Sequence, residues 1–320
     1  MPKPFIKWVG GKGQLISQLN DFLPPGFSKH KKVTYIEPFV GGGAMLFHLL
    51  SKFPNIKKAV INDINPDLIT CYKVVRDNVY SLITALNHIE NDYYSKDSEE
   101  DKKDLFLKNR DIYNSKKLND IDNAALFIFL NRTCFNGLYR VNKAGKFNVP
   151  FGKYYNPTIC DTDTLLEDSR LLNNVEITCG DFSDMLGFAE DYTFFYLDPP
   201  YRPISNTSSF VSYSKESFND DSQIRLKEFC DKISNYGYSF MLSNSDNKGA
   251  NSLGYFDLLY SDYFIERVLA SRNINCNPNK RGKITEIVVH NYDLSDIKNT
   301  QGLNYLSHNI ISFQKHITPQ

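Results

Sequence analysis

Asp198-Pro199-Pro200-Tyr201 puts a carboxylate, a backbone carbonyl and an aromatic ring within four residues. Neither proline has an N–H, so the segment cannot extend a sheet ladder or open a regular helical turn. It forms a stiff corner suited to a planar molecule with an exocyclic amino group. The Asp198 carboxylate and the Pro199 carbonyl would accept the two amino hydrogens, and Tyr201 would stack on the ring. The competing reading is a proline-rich exit from a strand that merely happens to hold a tyrosine.

A second group lies upstream. Gly41-Gly42-Gly43 separates the apolar run Val33-Thr34-Tyr35-Ile36-Glu37 from the run Ala44 to Leu50, with Phe39 just ahead of the glycines. Strand, glycine loop and helix in that order let a backbone approach a nucleoside cofactor closely. The next apolar run, Val60-Ile61-Asn62, ends in Asp63. Its offset of about twenty residues from the loop suits a ribose-hydroxyl acceptor. The alternative for Asp63 is a helix N-cap ahead of Pro66 to Arg76. Near the amino terminus, Phe5-Ile6-Lys7-Trp8-Val9-Gly10-Gly11-Lys12-Gly13 partly matches a phosphate-binding loop. Ile6 and Gly13 stand where that pattern needs Gly and Ser or Thr, so an ATPase is a poor reading. Trp8 beside Lys7 and Lys12 fits a lid over a cofactor ring, against the bland option of a core tryptophan.

Between Leu130 and Tyr155 stand Arg132, Arg140, Lys143, Lys146 and Lys153, with no Asp or Glu. Two short alternating runs about Lys143-Ala144-Gly145 read as a β-hairpin. Basic groups interleaved with Phe and Tyr suit a DNA groove, whereas in an arbitrary protein such a hairpin is more often solvated. A second basic stretch, Arg267, Arg272, Lys280, Arg281 and Lys283, joins two expected strands, Tyr263 to Ala270 and Lys283 to Asn291. Its loop would meet phosphates, which fix register rather than read sequence.

From about Pro4 to about Tyr292, these segments and their order resemble the DNA adenine-N6 methyltransferases of the Dam type, in the α arrangement. The resemblance implies an α/β chain with a Rossmann-like fold that uses S-adenosyl-L-methionine and carries a mostly helical DNA-recognition insert bearing the hairpin. It implies catalysis by Asp198, Pro199, Pro200 and Tyr201 on a flipped adenine. It assigns cofactor contacts to Trp8, Lys12, Glu37, Phe39, Gly41, Gly43, Asp63, Asp181, Phe182 and Asp198. Asp181 would accept from the cofactor's own adenine amino group.

DNA contacts are implied for Lys7, Arg132, Phe135, Asn136, Leu138, Arg140, Lys143, Pro150 and Arg272, and GATC is the expected target. Arg140 would fork onto a guanine, worth roughly 1–3 kcal/mol of discrimination. Leu138 and Pro150 would touch thymine methyls, Lys7 would meet the outer guanine, and Phe135 would fill the stack. The family often has Tyr at that last position, so Phe135 keeps the stacking surface and lacks a hydroxyl. Arg272-Asn273-Ile274-Asn275 and Lys280-Arg281-Gly282-Lys283 resemble the restriction-associated branch more than the housekeeping one.

The elements that must position these groups set the expected organisation. A catalytic domain would comprise 1–73 and 166–293, with the recognition insert at 74–165 and an extension of unassigned role at 294–320. Ala124 to Leu130 reads as a buried helix delivering the hairpin, and Tyr238 to Leu242 as a further central strand. With 37 basic and 37 acidic residues the net charge is zero, so DNA binding needs segregated charge. The acid-rich run Glu90 to Asp104 would balance the hairpin as a solvated edge. Six scattered cysteines without a Cys-x-x-Cys pair argue for a reducing compartment and against a metal or disulfide framework. No apolar stretch reaches spanning length, so a cytoplasmic location is expected; the resemblance implies a bacterial or phage-encoded enzyme, expected to be a monomer, with a cognate restriction endonuclease as a functional partner. Other readings are methylation of cytosine N4, RNA or a protein glutamine, and a silent DNA-binding subunit; the complete cofactor set argues against the last.

Overall fold

Val33–Glu37 (β1) and Thr193–Leu197 (β4) are buried from end to end and lie side by side in the middle of a seven-stranded sheet. Strands covered on both faces read as continuous apolar runs. The computed structural model describes residues 2–201, 218–246, 254–271 and 283–295. The other strands are Ile56–Asp63 (β2), Val175–Cys179 (β3), Ser239–Ser245 (β5), Phe264–Ser271 (β6) and Lys283–His290 (β7). Their order is β3-β2-β1-β4-β5-β7-β6. β1 to β5 are parallel, and β7 runs antiparallel between β5 and β6. The sheet is Rossmann-like, closed by the reversed hairpin that the two late strands predicted.

Side chains alternate across the sheet. Tyr35, Ile61, Phe194 and Met241 join one apolar cluster, and Ile36, Val60, Phe195 and Leu242 the other. The first cluster continues without a break into the insert, whose helices are Val79–Tyr94, Glu99–Asn114 and Asp120–Thr133. The last of these is buried along Ala124 to Asn131, so it is apolar on every side rather than amphipathic. Asn119 caps it by accepting from the Asp122 N–H, and Asp120 and Asp122 sit favourably in its first turn. Both junctions expected from sequence, 73/74 and 165/166, fall inside helices, Pro66–Asp77 and Thr162–Leu172. The insert therefore shares its interior with one face of the sheet.

Two expectations need correction. The recognition hairpin has antiparallel form but only isolated bridges, Cys134 with Phe151 and Val141 with Phe147. Its backbone bonds are few because Asn136 and Gly137 turn left-handed, at φ 56° and 62°, which breaks the alternation a ladder needs. Within the acid-rich run, Glu90 is not simply solvated: its carboxylate accepts from the Ile159 and Cys160 N–H groups and ties down the chain leaving the hairpin.

Candidate active site and nucleic-acid interface

The order of the parallel strands reverses between β1 and β4, and ligands of open α/β sheets bind at the carboxyl ends there. β1 ends in Glu37, β2 in Asp63, and β4 runs directly into Asp198. Three acids thus share one edge. Glu37 is buried and accepts the Tyr35 O–H at 2.7 Å. Burial holds its carboxyl well above the usual carboxylate range, with the Tyr35 bond opposing. Asp63 accepts the Gly41 N–H on one oxygen at 3.1 Å and the Asn65 N–H on the other at 2.9 Å. Burial raises its carboxyl too, against those backbone donors. The capping role considered for Asp63 belongs to Asn65, whose side chain accepts from Asp67 and Leu68. Asp63 instead tethers the glycine loop.

That loop is tight for a steric reason. Gly41 and Gly43 have φ of 48° and 74°, a region that favours glycine. A Cβ on Gly41 would stand 2.8 Å from the Trp8 ring, and one on Gly43 2.5 Å from the Tyr72 hydroxyl. Tyr72 donates that hydroxyl to the Gly41 carbonyl at 2.9 Å. The half-buried Trp8 ring also stacks on Tyr139 of the insert, at 5.9 Å between centroids and 21° between planes. Trp8 therefore joins the loop to the recognition region.

At the catalytic corner, the buried Lys12 ammonium lies 2.7 Å from Asp198 Oδ1 and donates to the Gly10 carbonyl at 3.0 Å. It sits 4.4 Å from the centre of the Tyr201 ring. The Tyr201 O–H donates to Glu286 on β7, and the Glu286 carboxylate is 3.9 Å from Lys12 Nζ. Burial pushes the Asp198 carboxyl up to about 6; Lys12 opposes this and Glu286 adds to it. Nothing in the sequence reading pointed to Glu286. A lone acid in the apolar run Ile284 to Val289 was the available signal.

Asp181 caps the short helix Phe182–Phe188 at the end of β3, next to β2. It accepts from the Ser183 N–H and hydroxyl and pairs with Arg225 at 3.0 Å. Partial burial pushes its carboxyl up, but these partners bring it below the ordinary value. Phe182 is buried against Phe39, at 5.2 Å between ring centroids. The two aromatic residues form a wall beside the loop.

In the recognition loop Phe135 is half exposed and its N–H donates to the Pro150 carbonyl, which sets these two residues side by side. Lys7 packs its stem on Gly137, where a Cβ would stand 2.7 Å away, and holds its ammonium 4.7 Å from the Tyr154 ring centre. The Asn131 side chain bonds the Lys7 N–H, the Lys7 carbonyl and the Gly137 carbonyl, clamping the amino-terminal segment to the loop. Arg140 is half-buried, its guanidinium bonded to the side chain and carbonyl of Asn148. Lys143 is exposed at the tip.

Arg132 is a correction. It turns inward and donates to the Phe5 carbonyl at 2.7 Å, and burial lowers its guanidinium's affinity for a proton. It holds the amino-terminal segment rather than facing a groove. Arg267 is likewise occupied, paired with Asp246 and Asp257. Arg272 and the loop 272–282 lie outside the described residues.

A Rossmann-like sheet with an Asp-Pro-Pro-Tyr corner at its switch point, joined through Trp8 and Lys7 to a loop rich in basic and aromatic residues, defines a class of enzyme that modifies an amino group on nucleic acid. The chain belongs to the D12 class of N6 adenine-specific DNA methyltransferases, whose family model matches residues 8–274. It is 49% identical over 294 residues to the Type II methyltransferase M.MjaIII of Methanocaldococcus jannaschii, covering 91% of this chain and 99% of that protein. To the Type II methyltransferase M1.LlaDCHI of Lactococcus lactis subsp. cremoris it is 39% identical, covering 91% and 95% of the two chains. The DNA adenine methylase of Haemophilus influenzae is 31% identical, with 89% and 92% covered. The chain is thus an adenine-N6 DNA methyltransferase. No described helix is long and apolar enough to cross a membrane.

Proposed function

We propose that this enzyme moves the methyl group of S-adenosyl-L-methionine to N6 of the adenine in duplex GATC, with that base flipped into the Asp198-Pro199-Pro200-Tyr201 corner. The observation that carries this reading is the placement of Asp198 at the strand-order reversal beside the Gly41 loop. The cradle fits the cofactor's chemistry. Glu37, Asp63 and Asp181 supply acceptors for hydroxyl and amino groups, and Trp8, Phe39 and Phe182 supply aromatic surface. S-adenosyl-L-methionine brings a methyl on a sulfonium, which needs no further activation.

The chain's own residues supply position. Adenine's amino lone pair is delocalised into its ring, so the nitrogen is a poor nucleophile. Hydrogen bonds from that amino group to an Asp198 carboxylate oxygen and to the Pro199 carbonyl favour a pyramidal nitrogen with its lone pair aimed at the methyl. Alignment of this kind accounts for much of an enzymatic rate. Once methylated, the nitrogen would be strongly acidic, and Asp198 or water would take its proton. Extruding the base costs a few kcal/mol, offset by stacking on Tyr201 and by Phe135 filling the gap.

Arg140, preorganised by Asn148, reads a guanine, and Leu138, Pro150, Lys7, Asn136 and Lys143 complete the contact. Residues 74–165 serve as the recognition insert and 1–73 with 166–293 as the catalytic part. The names of two relatives, both Type II methyltransferases, support a role in protecting DNA from a restriction endonuclease, which on this reading the enzyme performs in the cytoplasm as a monomer. The test is transfer of labelled methyl onto two duplexes differing only by one GATC. Label should enter that adenine alone, vanish with Asp198→Ala, and lose selectivity at one guanine by roughly 5- to 150-fold with Arg140→Ala. Equal labelling of the two duplexes would refute the GATC assignment and leave the chemistry standing.

A further inference from the structure

Glu286 has no place in the reading above, yet it lies at the centre of the site. It pairs in register with Ser245 at the end of β5 and with Val268 of β6. Because β7 runs against the parallel strands, its early residues, not its last, arrive at the active edge. The carboxylate reaches the cleft, where it accepts the Tyr201 O–H and lies 3.9 Å from the Lys12 ammonium.

Lys12 meanwhile holds Asp198 Oδ1 at 2.7 Å and covers the Tyr201 ring from 4.4 Å. An incoming amino-bearing base needs both an Asp198 oxygen and a Tyr201 face. A base that takes Oδ1 and the covered face displaces the ammonium, and a buried cation left without a partner is costly. Glu286 is the acid in reach: a movement of about an ångström closes the 3.9 Å gap to full ion-pair distance. We propose that Glu286 is a positioning residue that fixes the Tyr201 ring through its hydroxyl and receives the Lys12 ammonium when the target base takes Asp198. This rests on the adenine-methylating reading of the site.

The experiment is single-turnover methyl transfer to a substrate duplex from about pH 5 to about pH 9, with cofactor affinity measured by calorimetry. Glu286→Gln keeps an acceptor for Tyr201 and removes the charge. It should slow transfer by roughly ten- to a hundredfold while changing cofactor affinity by less than about threefold. It should also move the acid limb of the pH profile downward, because the charge that raises Asp198 is gone. Glu286→Asp keeps the charge but loses reach, so the rate should fall while the limb stays near its original pH. With Tyr201→Phe in the same chain, part of the Glu286→Asp effect should already be lost, since both remove the hydroxyl contact, giving a non-additive cycle.

A merely structural role would lower the folded fraction and leave the limb where it was. A folded, cofactor-binding Glu286→Gln protein with the native rate and limb would overturn the positioning role alone. A native enzyme that methylates no duplex would overturn both this and the functional reading beneath it.

Discussion

The acid limb of the pH profile offers a direct test of the catalytic corner. Asp198 must be ionised to receive the amino hydrogens, and burial puts its carboxyl at about 6, far above the ordinary 3.8. On that value about nine-tenths of the free enzyme is competent at pH 7 and about one-tenth at pH 5. kcat/KM, which reports groups of the free enzyme, should therefore fall about tenfold between those two pH values and then about tenfold per further unit. Lys12 opposes the burial from 2.7 Å. Replacing it in Lys12→Met should move the limb upward, so that the variant's loss relative to the native enzyme grows as pH falls and levels off below about pH 6. At higher pH the two profiles should differ only by a constant factor. The assay is initial rate with duplex and labelled cofactor both well below saturation, across overlapping buffers of fixed ionic strength. A limb near pH 4, where an unperturbed carboxylate titrates, would refute the reasoning, as would a limb that Lys12→Met leaves in place.

Two further substitutions test the scaffold. Gly43→Ala puts a Cβ 2.5 Å from the Tyr72 hydroxyl at a residue with φ of 74°, so the loop must shift; calorimetry should show at least about a tenfold loss of cofactor affinity, and unchanged binding would refute the tight-cradle account. Asp168 is fully buried and its carboxyl is pushed up to about 8 by burial, which the Phe5 N–H and the Arg132 guanidinium only partly oppose. The folded value exceeds the unfolded one, so the stability present below about pH 4 is lost as pH rises towards 8, by about 1.4 kcal/mol per unit. Asp168→Asn should remove that slope in urea unfolding, and parallel pH dependence in the two proteins would refute it.

The chemistry-bearing residues were legible because each sits at a local signal. The prolines after Asp198 mark a strand exit, Gly41 to Gly43 mark a tight turn, and Asp63 closes an apolar run. The two late strands and the buried helix were legible from their apolar runs, within a few residues of their observed ends. The recognition hairpin was only half legible. Its composition announced an antiparallel pair, but Asn136 and Gly137 adopt left-handed conformations that composition does not dictate for Asn, and the ladder is reduced to isolated bridges.

The amino-acid sequence by itself determined which groups the enzyme has and in what order they reach the active edge, since strand, loop and helix are set by neighbours a few residues apart. Only the tertiary structure decided what each charge does. Arg132, Arg140 and Arg267 look alike in sequence, yet one ties down Phe5, one is steadied by Asn148 and one is consumed by Asp246 and Asp257. Glu286 was one acid in an apolar strand until the reversal of β7 carried it to Tyr201 and Lys12. The partners range from Asn148, eight positions from Arg140, to Phe5, 127 positions from Arg132, and no apolar or basic run announces them.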